Sequence, residues 1–268
     1  MMDKKKNYLW VIIVAVIAVV AVVGAVLFMR SSDGSAPGDQ ATSQTSTTST
    51  SSAAPGNSKS SKTLSTDIWG RKIVSRSETG EPIGKLNPQG DSCAITPEVE
   101  IQTAHGAATL WSRTDGPSEI KEGVPSGYAH TATGAALAGW NNRLLLFAGG
   151  DVSRAISNVV TAGDEQKTEE LRSSFAAGSD DSSQALTKLT APEAVRVLSC
   201  DDEFVVVDFA HKIFGDENGK SDVMQWDIMR ASMQWNGSEW VLDLRSFQQS
   251  GEVITSINSV DGWTKWQY

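Results

Sequence analysis

The chain has 268 residues, a formal charge of −9, two cysteines and three histidines. Four Lys or Arg against one Asp in the first thirty residues leave −12 for the remainder. That acidic bulk argues against nucleic-acid binding through phosphate contacts and against a basic lipid-binding patch.

Residues 9–29 are uncharged and almost wholly apolar, preceded by Lys4, Lys5 and Lys6. As a helix, twenty-one residues reach roughly 32 Å, enough to cross a bilayer. The run ends in Val26-Leu27-Phe28-Met29-Arg30, unlike the small-residue end of a cleaved signal peptide, and no cysteine offers a lipoprotein anchor. The expectation is a retained single-pass helix with residues 1–8 in the cytoplasm and the rest outside, because the lysines precede it. Ala21, Gly24 and Ala25 offer a small-residue seam for a possible homo-oligomer. Residues 30–65 read as a disordered Ser/Thr-rich linker: 31–65 hold eighteen Ser or Thr, no aromatic residue and one large aliphatic, Leu64.

Residues 66–268 then read as one extracytoplasmic α+β domain. Its first part, 66–115, is dense in Gly, Pro, Asn and Asp and reads as an irregular wrapping segment, with strand-like alternation from Glu98 to Trp111. Gly116-Pro117 and Gly123-Val124-Pro125 mark turns. A helix follows, capped by Thr131 or Thr133, with Ala136, Leu137, Trp140, Leu144, Phe147 and Ala148 at helical spacing and Gly149-Gly150 stopping it. Further helical pieces are expected at 152–161, at 165–177 behind an Asp164 cap, and at 182–189. Beyond Pro192 the period changes to two. Strands are expected at Val195–Leu198, Phe204–Phe214, Val223–Trp235 and Glu239–Phe247, with hairpin signals at Asp216–Gly219 and Asn236-Gly237 and a final strand near Trp263–Trp266. Helices followed by antiparallel strands imply helices packed on one face of a sheet. Trp226, Trp235, Trp240, Trp263 and Trp266 are expected to cover one face as core, with a carbohydrate platform as the sharper alternative.

Chemistry is sparse. His105, His130 and His211 show no ligand spacing, so no metal or cofactor is expected. Ser126 lies outside any G-x-S-x-G context, and Asp208 and His211, three apart on a strand, face opposite ways. An enzyme would need a polar pocket with Tyr128 or Asp208 as acid or base; no catalytic residue is expected. Asp180-Asp181 and Asp201-Asp202-Glu203 read as solvated turns rather than calcium loops. Cys93 and Cys200, both on the outward side, are either a disulfide or two buried thiols.

The stretch Gly116-Pro117 with Gly123-Val-Pro-Ser-Gly-Tyr-Ala-His-Thr-Ala-Thr-Gly-Ala-Ala136, together with Met233-Gln-Trp-Asn-Gly-Ser-Glu-Trp-Val-Leu242 and Val260-Asp-Gly-Trp263, resembles a group of uncharacterised membrane-anchored proteins of actinobacteria. Such proteins are often carried on integrative or conjugative elements. The architecture is also similar to the periplasmic domain of type IV secretion assembly factors, which implies a nuclear-transport-factor-2-like cone of helices on a curved antiparallel sheet. Neither resemblance supplies a catalytic residue. Together they imply a membrane-anchored protein-interaction domain, with an extracytoplasmic ligand-binding or cell-wall module as the alternative.

Overall fold

The computed structural model describes residues 63–176, 189–214, 224–245 and 255–268. The expected tail, membrane helix and nearly all of the linker lie outside these residues, as do all but the last residue of the expected 182–189 helix, the Asp216–Gly219 turn and the Asp180-Asp181 pair. Among the described residues no helix is long and apolar enough to cross a membrane.

The domain is α+β, built as a helix held between two sheets. The first sheet runs in chain order: β1 (Thr63–Thr66), β2 (Lys72–Ser75), β3 (Glu100–Ala104) and β4 (Ala107–Trp111). The second has the order β13-β8-β9-β10-β11-β7. Its strands are β7 (Val160–Thr161), β8 (Ala194–Cys200), β9 (Phe204–Phe214), β10 (Met224–Trp235), β11 (Trp240–Asp243) and β13 (Thr264–Lys265), with β12 (Thr255–Ile257) added to β10. A two-stranded hairpin, β5 (Glu119–Lys121) and β6 (Val124–Ser126), leads into the helices α1 (Ala132–Leu146), α2 (Gly150–Ser157) and α3 (Glu165–Ala176).

Two boundaries need correcting. Within residues 66–115 the only long stretch without strands is 76–99, since β2 joins β3 and β4 in a sheet, and residues 63–65 belong to the domain rather than the linker. The missing information was non-local: β2 pairs parallel to β3 through Ile73 opposite Ile101, across a long excursion that local periodicity cannot register. The excursion does wrap. Gly80 lies so close to the Trp111 ring that a Cβ would stand 2.2 Å from it, and Gly84 packs equally tightly on the Arg113 backbone.

This second sheet explains α1. Every α1 residue is buried, because helix packing occurs on both sides instead of on one sheet face. Small residues permit the approach: a Cβ on Gly139 would lie 2.9 Å from the Ala231 Cβ, and one on Gly134 would strike the Ala129 carbonyl. Its polar side chains finish sheet edges. Asn141 Oδ1 accepts from the Leu110 amide (2.8 Å) and Nδ2 donates to the Leu110 carbonyl (2.9 Å), so one amide side chain pairs with β4 as a strand residue would. Trp140 Nε1 donates to the Ala108 carbonyl, and Arg143 donates to the Arg230 carbonyl on β10. Thr131 is the N-cap, its hydroxyl accepting from Gly134 N, while Thr133 instead accepts from Thr96 N and donates to the Ala94 carbonyl.

Gly149-Gly150 do not simply stop α1: Gly149 is the N-cap of α2. The 152–161 helix is shorter than expected, because Val160–Thr161 leave it to run parallel to β11, where the Leu242 and Leu244 amides donate to the Val159 and Thr161 carbonyls. Asp164 caps α3 by accepting from the Lys167 amide; that bond and the Lys167 ammonium hold its carboxyl below the usual carboxylate range.

The tryptophans do not share a face. Trp226 and Trp235 are nine residues apart on one strand, and an odd separation sends them to opposite sides. Trp240 and Trp266 join the main core with Trp235 against it, whereas Trp226 and Trp263 pack with Ala194, Ala210 and Val260 on the other side.

Candidate functional site

The large sheet has an inner face, turned to α1, and an outer face. Val205, Val207, Phe209, Ala231, Met233 and Leu242 carry the inner face and are all buried. The intervening positions of β8, β9 and β10 form the outer face. There the register sets Arg196, Asp208 and Arg230 side by side on neighbouring strands.

Asp208 is 1% exposed in its side chain, between arginines that are 45% and 54% exposed. It accepts from Arg196 Nη2 at 3.0 Å, from Arg230 Nε at 2.7 Å and from Arg230 Nη2 at 3.0 Å. The Arg196 guanidinium also lies 4.4 Å from the Trp263 ring centroid. Hydrogen bonding to Asp208 leads the causes that raise the Arg230 pKa further above its ordinary value. Below this row the chain from β12 to Trp263 covers Ala210 and Ile228; Val206 and Ser232, on the other side, stay partly open.

The remaining candidates fall elsewhere. Tyr128 is buried on the helix side, donates to the Pro125 carbonyl and accepts from Asn141 Nδ2; burial drives its pKa well above the phenol range. Asp208 and Tyr128 therefore lie on opposite sides of the large sheet. Tyr128 does border a cleft with Pro125, Asn142, Asn158 and Trp240, but its roughly 70 Å³ holds only a few water molecules. Ser126 ends β6 and donates to the Val124 carbonyl. His105 sits in the β3–β4 turn at φ 47° and contacts the Gly123 carbonyl at 2.8 Å, tying two hairpin turns together. His130 stacks on Trp235 with centroids 4.2 Å apart and meets the Asp202 carbonyl. His211 contacts the Thr190 hydroxyl at 3.2 Å; burial, with Arg71 adding to it, pushes its pKa down to about 4. Asp201 turns its carboxylate inward to the amides of Glu203 and Phe204. No three His, Cys, Asp or Glu side chains converge among the described residues.

Cys93 and Cys200 are bonded, with Cα atoms 5.8 Å apart and a sequence separation of 107. The bond staples the segment before α1 to the far end of β8. Sequence reasoning missed the Arg196–Asp208–Arg230 row; alternating positions carried the signal, but only a fixed register aligns them.

A family model for a domain of unknown function, DUF8175, matches residues 76–265. The chain belongs to the DUF8175 family. No curated protein and no solved structure matches it. In this DUF8175 domain the glycine-rich motif before α1 has a packing role: Gly116 faces the Gly127 carbonyl, where a Cβ would stand 2.5 Å away, and the cis Gly116-Pro117 bond lies at the same corner.

Proposed function

We infer that the protein is a membrane-anchored, extracytoplasmic protein-interaction domain, a component of a conjugation or secretion apparatus in actinobacteria. The Cys93–Cys200 disulfide carries this reading, since such bonds persist outside the reducing cytoplasm. The apolar run at 9–29 behind three lysines supports the same side of the membrane. A partly open sheet face favours a macromolecular partner. The nuclear-transport-factor-2-like reading draws support from three helices preceding the long antiparallel strands and from β7 lying parallel to β11 at the sheet edge.

The test has two arms. A periplasm- or surface-active reporter fused after Tyr268 is expected to be active, and deletion of the gene is expected to reduce conjugative transfer or secretion. An inactive reporter overturns the topology. Unchanged transfer and secretion overturn the apparatus role and leave the cell-wall module as the next reading.

A further inference from the structure

The outer face of the large sheet combines fixed geometry with open charge. At the outer-face positions of β9 and β10 the only acidic side chain is Asp208. It is buried, and both of its partners are about half exposed. What solvent meets is therefore two guanidinium groups, each with N–H donors that Asp208 does not use. Their conformations are already set: Arg230 makes two bonds to Asp208, and Arg196 makes one while lying over Trp263. Flexible arginines lose rotamer freedom on binding, and these have lost much of it in the free domain. Around them stand the partly open Val206 and Ser232 and the exposed Leu198, 43% accessible.

We propose that this face docks an acidic segment of a protein partner, with Asp or Glu carboxylates seated on Arg196 and Arg230. The charge is complementary, and the guanidinium fork matches a carboxylate bidentately. Arginine is enriched at protein interfaces, whereas attraction to anionic lipid grows with larger clusters of cations than this row holds. The proposal rests on the interaction-domain reading and names the face and the chemistry of its partner.

The experiment uses the full chain in neutral detergent micelles, with fluorescein-labelled hexaglutamate as probe and anisotropy as readout. Saturable binding is expected, with none for labelled hexaglutamine. Arg196→Gln and Arg230→Gln should each weaken it about tenfold, the loss of one charge-assisted contact. Arg230→Lys should restore only part, since an ammonium lacks the fork. Lys72→Gln, an exposed lysine of the other sheet, should leave binding unchanged. Should either glutamine variant unfold, Ser232→Glu sets a carboxylate two residues from Arg230 on the same face and must also lower binding. Failure to bind hexaglutamate, equal loss from Lys72→Gln, or arginine-dependent binding of anionic vesicles in preference to the peptide overturns the proposal. Because this assay is blind to topology, its failure and an inactive reporter fusion are separate results.

Discussion

The two faces of the large sheet come from the same strands and have opposite characters. Alternate residues of β9 give Val205, Val207 and Phe209 to the inner face, all at 1% exposure or less, and Val206 and Asp208 to the outer one. On the inner face burial is apolar and continuous across α1 to the other sheet. On the outer face a small apolar patch under the C-terminal segment gives way to a charged row whose only buried member is a carboxylate. The inner face is where stability resides; the outer face has groups in defined positions that the packing does not require.

Several substitutions would break or sharpen this contrast. The largest effect is expected from Cys93→Ser with Cys200→Ser, since Cys200 packs against the inner core and the bond closes a loop of 107 residues. Chain-entropy reasoning gives a loss of about 5 kcal/mol, read by chemical denaturation with and without reductant. Phe209→Ala should follow, at about 3–5 kcal/mol, because it empties a fully buried site against Trp140. Its outer neighbour Val206→Ala should cost under about 1 kcal/mol, and equal losses at the two sites would erase the distinction between the faces.

The third effect is on pH. His211 is neutral in the folded state, its pKa lowered to about 4 by burial and by Arg71, whereas in the unfolded chain it regains its ordinary value. A proton therefore binds the unfolded chain more readily, so this contribution to stability is present above the unfolded pKa and is lost as pH falls towards the folded one. Going from about pH 7.5 to about pH 5 should remove roughly 2 kcal/mol, and His211→Gln should flatten that part of the profile. A slope unchanged in the variant would assign the acid sensitivity to other groups. Smaller effects are expected from Arg230→Gln, about 1–3 kcal/mol because it leaves the buried Asp208 carboxylate with Arg196 alone, and from Thr131→Ala, about 1 kcal/mol for a lost helix cap. Melting curves of both variants check this. A severe loss from Arg230→Gln would make the outer row a structural element.

What could be read from sequence followed the range of the interactions. The Thr131 cap and the spacing through Leu144 located α1, and alternation located β8 to β11, because those signals are local. In the first sheet the alternation from Glu98 to Trp111 marks β3 and β4, but β1 and β2 stay hidden because β2 finds β3 only across residues 76–99, which look irregular on their own. The division of the tryptophans between faces is a matter of parity along β10, where Trp226 and Trp235 stand nine positions apart, and composition alone does not carry it. The charged row needed register, and β8 shifts register against β9 between Val197 and Ser199, which no composition rule anticipates.

The enclosure of α1 has a dynamic consequence. A fifteen-residue helix with no solvent-facing side cannot persist once either sheet lifts away, and neither sheet keeps its core without it. The two sheets should therefore open together as one cooperative unit. Amide protons along α1 should exchange with solvent only at the rate of global unfolding, while those of the exposed strand β1 exchange far sooner.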